Sequence, residues 1–290
     1  MQIDKVLIST KKTALEHFKE RVDFLEKQLP VIDMENLQKE YEEHYNSLNC
    51  IEETLFQYGI EFDVTCNPYA EYKKFQDNDL IICVGGDGTV LNSVNHIQEK
   101  IPILAIKSST KSTGALCDVC DEKFEFTLEK ILNDDFELKE WTRAEGIFKS
   151  KSSYALNEIF VGAKHSPSMT KYEIEIGDEV EIQMSSGIVI ATGAGSTGWY
   201  NNIYGSDGKF PRTAKELRYI VREHKIENNY KMIKGHINSG ETIRIKSHIN
   251  VDGCISFDGS CKERMLDFNR GDVLEVKVAK KPVYVIRLKN

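Results

Sequence analysis

The sequence predicts an α/β domain built on a doubly wound parallel sheet, followed by an all-β domain, and three observations carry that reading. In the opening third, short apolar runs alternate with stretches of helical periodicity. From about residue 136 onward, many short segments alternate apolar and polar residues with period two. Within the first region, Gly85-Gly86-Asp87-Gly88-Thr89 joins a buried-strand pattern directly to a helical one.

Taken in order, Val6 to Ser9 reads as the first strand, and Leu15, Phe18, Val22 and Leu25 mark one helix face. The charged stretch from Glu35 to Glu53 reads as a second, solvated helix. Phe62 to Cys66, Leu80 to Val84 and Ile101 to Ile106 follow as strands. After the glycine turn, apolar residues at 90, 91, 94 and 97 carry helical spacing. Phe124 to Leu132 is a bridging helix. Beyond it, Tyr172 to Ile176, Val180 to Met184, Thr242 to Ile245 and Leu274 to Val278 alternate as half-buried strands do. Pro282 to Leu288 is one more strand, expected to return to the first domain. The boundaries so read are residues 1–110 with 279–290 for the α/β domain, and 111–278 for the β-rich domain.

Composition narrows the function classes. A chain of 290 residues is long enough for two cores. The net charge of −8 and the lack of a Lys/Arg stripe argue against a nucleic-acid partner. No apolar run approaches eighteen residues, so no membrane span is expected, and the N-terminus enters a strand at once, which predicts a cytoplasmic protein. Seven scattered cysteines suit a reducing compartment. Cys117 and Cys120, with Cys254 and Cys261, permit a four-cysteine zinc site by count, but the second spacing is not that of a zinc ribbon, and no bound metal is assigned. Exposed β edges predict self-association into a homo-oligomer.

The glycine turn is the strongest chemical signal. Glycines after a strand let backbone N–H groups approach an anion, and the following helix adds its positive end. Asp87 sits oddly in such a cradle, because a phosphate repels it. A carboxylate that accepts a proton from an attacking hydroxyl, or helps hold a metal, accounts for it better than a plain turn does.

A second glycine cluster, Thr192-Gly193-Ala194-Gly195-Ser196-Thr197-Gly198-Trp199, follows the apolar run Gly187 to Ala191. Gly193, Gly195 and Gly198 satisfy the G-x-G-x-x-G dinucleotide fingerprint. That fingerprint needs a long amphipathic helix next, whereas Gly205, Gly208 and Pro211 interrupt the chain here. A hydride-transferring oxidoreductase stays open as an alternative.

Gly-Gly-Asp-Gly-Thr after a hydrophobic strand resembles the signature of the superfamily that holds NAD kinases, diacylglycerol-type lipid kinases and 6-phosphofructokinases. The second cluster is similar to the NAD kinase pattern T-x-[GS]-S-T-[AG]-[YW]. Asn157-Glu158 resembles that family's Asn-Glu pair, and Phe257-Asp258-Gly259 and Gly271-Asp272 look like its late elements. Together these span about residues 80 to 278 in the family's order. The resemblance implies a cleft in which ATP phosphates and Mg²⁺ lie on Gly85, Gly86, Gly88 and Thr89. It implies Asp87 as base for the adenosine 2′-hydroxyl of NAD or NADH. It also implies dinucleotide contacts from Asn157, Glu158, Ser196, Thr197, Gly198, Trp199, Asn202 and Asp258.

Three positions depart from the family pattern. Ser186-Gly187 stands where many members have Asp-Gly, Gly114-Ala115-Leu116 replaces Gly-Phe-Leu, and Trp199 replaces a tyrosine. Ser112 to Cys117 and Ser185 to Gly187 look closer to the mitochondrial-type branch. A kinase of the same superfamily acting on a lipid or nucleoside hydroxyl, and a dinucleotide-binding regulator without catalysis, remain the other readings.

Overall fold

The computed structural model describes residues 1–20, 31–67, 72–97, 100–117, 119–165, 168–259 and 264–289. Val22, Leu25 and Cys261 lie outside them. The chain divides into two compact units, Met1–Lys139 with Tyr284–Asn290, and Glu140–Val283.

The first unit is a seven-stranded sheet. Its strands are β1 (Lys5–Lys11), β2 (Glu61–Asn67), β3 (Leu80–Gly85), β4 (Ile103–Lys107), the short β5 (Val119–Cys120), β6 (Phe136–Trp141) and, from the far end of the sequence, β19 (Val283–Leu288). They run in the order β2-β1-β3-β4-β19-β6, with β5 paired to β4. The pairings of β1 with β2 and β3, and of β4 with β3, β5 and β19, are parallel. β3 is buried along its whole length, as its unbroken apolar run requires of a central parallel strand.

Helices are α1 (Ala14–Lys19), α2 (Val31–Gln57), α3 (Asp87–Val94) and α4 (Phe124–Leu132). A capping box starts α1, with Thr13 and Glu16 satisfying each other's backbone amides. Leu48, Ile51 and Leu55 of α2 and Phe124, Leu128 and Ile131 of α4 share one core with Val6, Ile8, Leu80, Ile82, Val84, Leu104 and Ile106. Strand residues of the opposite parity face α3, where the Ser93 hydroxyl donates to Ser9 at 2.8 Å. Helices on both faces make the sheet doubly wound.

The second unit is antiparallel throughout its described pairings. Its strands are β7 (Ala144–Phe148), β8 (Lys151–Ala155), β9 (Glu158–Ala163), β10 (Thr170–Ile176), β11 (Glu179–Ser185), β12 (Ile188–Ala191), β13 (Glu216–Val221), β14 (Lys234–Asn238), β15 (Thr242–Ser247), β16 (Gly253–Phe257), β17 (Met265–Asp267) and β18 (Val273–Val278). One sheet runs β11-β10-β15-β18-β7-β8 and the other β14-β13-β12-β9-β16-β17. Alternate residues of both, including Ile159, Tyr172, Ile190, Leu217, Ile245, Ile255 and Val276, form a single buried cluster. β12 is buried on both faces. Val189 and Ala191 point away from that cluster toward Tyr200 of α5 (Trp199–Tyr204), which explains why this run does not alternate.

Two expectations change. The boundary drawn at residue 110 falls at 139, because α4 and β6 complete the core and sheet of the first unit; likewise the return begins at 284 rather than 279. The G-x-G-x-x-G reading fails on topology. β12 pairs antiparallel with both β9 and β13, and only a short 3-10 turn and the six-residue α5 follow it. A dinucleotide fingerprint of the dehydrogenase kind requires a parallel βαβ unit.

Candidate active site

In the first unit the glycine turn lies at the carboxyl end of β3, where ligands meet parallel sheets. Gly86 caps α3 and Asp87 is its first residue. The first-turn amides of Asp87 and Gly88 lack intrahelical acceptors, as at any helix start, while Thr89 N and Val90 N bond to the Gly86 carbonyl. Each glycine has its own reason. A Cβ on Gly85 would stand 2.2 Å from Thr89 Oγ1, and one on Gly86 would stand 2.4 Å from Ser112 Oγ. Gly88 is exposed with nothing within 4 Å, so its backbone is the open part of the cradle. Thr89 itself is buried over Gly85.

Asp87 is partly exposed and held. The Leu116 amide donates to Asp87 Oδ1 at 2.7 Å, and Oδ2 has no hydrogen bond among the described residues. The segment that supplies this amide is tied to α2. Buried His44 bridges Thr10 Oγ1 (3.0 Å) and Ser108 Oγ (2.7 Å), and Glu43 accepts from Ser109 Oγ and from the amide and hydroxyl of Thr110. Burial pushes His44 down to about 4, so it is neutral there. Beside the turn, burial and then the Asp87 charge push the Cys117 thiol up to about 12, leaving it an inert thiol.

In the second unit, Asn157 and Glu158 open β9. Asn157 Oδ1 and Glu158 Oε2 are buried without a hydrogen-bond partner. Glu158 is 7% exposed, and burial, then the charge of Asp258, push its carboxyl up to about 8. Buried polar atoms are rarely left unpaired, so these two adjacent acceptors are open to a hydrogen-bond donor. Gly195 approaches so closely that a Cβ would lie 2.1 Å from the Asn157 carbonyl oxygen, and the Thr192 amide donates to that oxygen at 2.9 Å. The second glycine cluster is therefore packed on the Asn-Glu pair.

The other expected residues divide. Thr197 and Asn202 are exposed, and Gly198 is partly so. Trp199 is half-buried against Phe160, with ring centroids 5.1 Å apart and the Arg222 guanidinium 4.9 Å from its ring. Ser196 has no exposed surface. Its hydroxyl donates to the Gly193 carbonyl (2.7 Å) and accepts from Phe210 N (3.1 Å), so it holds the turn rather than facing a ligand. The Asp258 side chain is likewise fully enclosed, bonded to backbone amides and to Arg264. Leu116, Ser112, Thr192 and Arg264 were not among the expected site residues. Backbone donors and second partners leave no pattern in a single sequence, although Thr192 lies inside the second cluster.

A Gly-Gly-Asp-Gly-Thr turn on a parallel sheet, joined in sequence to an antiparallel β unit carrying an Asn-Glu pair, is the arrangement that the resemblance to the Gly-Gly-Asp-Gly kinases implies. Residues 6–136 match the model of the ATP-NAD kinase N-terminal domain. An NAD kinase of Caldicellulosiruptor saccharolyticus is 29% identical over 215 residues, 73% of this chain and 78% of that one. A protein of Oryza sativa subsp. japonica named "Probable NADH kinase" is 26% identical over 259 residues, 80% of this chain and 78% of that one. Among solved structures, an NAD kinase from Archaeoglobus fulgidus in complex with ATP superposes with a TM-score of 0.71 at 20% identity, covering 98% of this chain and 94% of that one. Yeast NADH kinase complexed with NADH gives 0.71 at 18% identity, covering 100% and 85%. The two superpositions establish a shared fold. The chain is similar to NAD and NADH kinases over most of its length, and the family model matches its residues 6–136.

Proposed function

We propose that this protein is an NAD(H) kinase, transferring the γ-phosphoryl group of ATP to the adenosine 2′-hydroxyl of NAD or NADH. The observation that carries the reading is Asp87: a carboxylate at the mouth of an anion cradle, with one oxygen fixed by the Leu116 amide and the other open. In this reading Oδ2 accepts the proton of the attacking hydroxyl, while the open backbone at Gly86 to Gly88 receives donor phosphates. The orphan acceptors Asn157 Oδ1 and Glu158 Oε2 take hydrogen bonds from the dinucleotide, and Thr197, Gly198, Trp199 and Asn202 border it.

Mg²⁺ fits this donor set as an ion carried by ATP, because Mg²⁺ characteristically combines one or two carboxylates with substrate phosphates. Asp87 is the residue of the turn that would contact it. When bound, the ion supplies charge neutralisation on the transferring group. The protein's own work is positioning.

No helix among the described residues is long and apolar enough to cross a membrane; a cytoplasmic location is part of the proposed reading. Val180 and Ile182 are exposed on the edge strand β11, which supports a homo-oligomer. Sedimentation would test the latter. The function itself is tested by NADP or NADPH formation from ATP, Mg²⁺ and NAD or NADH. Asp87→Asn should lower turnover by about 10² to 10⁴ while dinucleotide binding persists; full activity in that variant overturns the role of Asp87.

A further inference from the structure

The turn after β16 contains an acidic residue that an enzyme gains nothing by burying unless its charge is used. Asp258 has a φ of +53° and Gly259 one of +93°, two consecutive left-handed residues. Such a pair suits Asp-Gly, since Asp tolerates that region and glycine adopts it freely. The reversal swings the carboxylate back across the start of β9. There Oδ2 accepts from Leu156 N at 2.8 Å, and Oδ1 accepts from Asn157 N at 2.6 Å and Glu158 N at 3.2 Å. In return, Asp258 N donates to the Glu158 carbonyl at 2.9 Å. Arg264 closes the arrangement, with Nη1 3.4 Å from Asp258 Oδ2 and Nη2 donating to the Tyr154 carbonyl at 2.7 Å.

We propose that Asp258, clamped by Arg264, is a positioning residue: it fixes the backbone of Leu156 to Glu158 and thereby aims the Asn157 and Glu158 side chains at the dinucleotide. This rests on the functional reading given above. The Asp258 side chain is fully enclosed, so it does not meet a ligand directly. It grips three successive amides of the segment that bears both orphan acceptors. Burial raises the Asp258 carboxyl, and Arg264 with the three amides opposes that rise by favouring its charged form; charge-assisted bonds to backbone amides are about twice as strong as neutral ones. The same charge stands close enough to Glu158 to resist its ionisation. A neutral Glu158 keeps both a hydrogen-bond donor and acceptor for the ligand.

The test uses Asp258→Asn, which keeps the shape and removes the charge, and Arg264→Met, which removes the clamp. Hydrogen exchange at Leu156 to Glu158 should accelerate by about tenfold or more in both, with Ile159 to Val161 and Ile188 to Ile190 unchanged. KM for the dinucleotide should rise by a similar factor, with KM for ATP within about twofold of the wild type. Unchanged exchange at the three amides overturns the proposal, and so does a loss of protection that extends through β9 and β12. A local exchange change with an unaltered dinucleotide KM overturns it as well. If the wild-type protein forms no NADP or NADPH, the functional reading fails, while the exchange data still decide whether Asp258 holds the segment.

Discussion

Glu158→Gln separates stability from recognition in one position. In the folded protein burial, with the Asp258 charge, pushes the Glu158 carboxyl from its ordinary 4.5 up to about 8. A raised carboxyl binds a proton in the folded state that the unfolded chain has already released. Its contribution to stability is therefore fully present below pH 4.5 and is lost as pH rises toward 8. Between pH 5 and 8 that is three pH units at about 1.4 kcal/mol each, an upper bound of ~4 kcal/mol; partial water access brings the expected loss to ~2–4 kcal/mol. Glutamine has the same shape and does not titrate. The stability difference between variant and wild type should thus move in the variant's favour by ~2–4 kcal/mol from pH 5 to pH 8, or roughly 5–10 °C in Tm for a unit of this size. Trp199 lies in the second unit, so its fluorescence during denaturation, read in a Trp141→Phe background, follows the unit that contains Glu158. Comparing the two pH values cancels any constant effect of the amide. The same variant keeps a donor and an acceptor at that position, so NAD or NADH binding should change little. A variant-minus-wild-type difference that is equal at both pH values would refute a neutral Glu158 in the folded protein.

Gly195→Ala should destabilise the second unit by at least ~1–3 kcal/mol, because the new Cβ meets the Asn157 carbonyl at 2.1 Å; a melt within a degree of wild type would contradict that contact. Gly88→Ala, with open space around it, should leave stability unchanged or raise it by ~0.5–1 kcal/mol while raising KM for ATP, checked by melting and steady-state kinetics. His44, pushed by burial to about 4 from 6.5, works in the opposite sense to Glu158. The unfolded chain binds its proton first, so the stability it confers is present above 6.5 and lost on acidification toward 4, by ~2–3 kcal/mol. His44→Gln should remove that slope in circular-dichroism melts. Chelation of divalent cations should abolish NADP formation, and added Mg²⁺ should restore it.

Much of the architecture was legible because burial leaves a period. β3 reads as a continuous apolar run since it is covered on both faces, and β15 and β18 alternate since they are covered on one. α4 was readable to the residue from Phe124 to Leu132. The domain boundary was not, because α4 and β6 carry nothing that says which sheet they join; long-range packing against Ile106 and Ile286 decides it. Of the proposed site, Asp87 was visible as a carboxylate out of place in an anion cradle, and the Asn157-Glu158 pair through its resemblance to the family's Asn-Glu pair. Asp258 and Ser196 were visible too, but their work is internal, and only partners distant in sequence reveal that. Leu116 contributes through its backbone amide, for which any side chain would serve, so nothing in the sequence marks it.

The position of β19 bears on how the chain emerges from the ribosome. That strand lies between β4 and β6, inside the sheet rather than at its rim. β4 is synthesised with residues 108–282 still to follow before β19 appears. At about 5–20 residues per second the wait is on the order of ten seconds or more. Throughout it, the nascent first unit carries an unfilled slot beside β4, a template for wrong strand pairing, while the inserted β unit has all its strands in hand and can close first. Chaperone occupancy during translation should therefore be highest on residues 1–139, and should fall only when residue 288 is free.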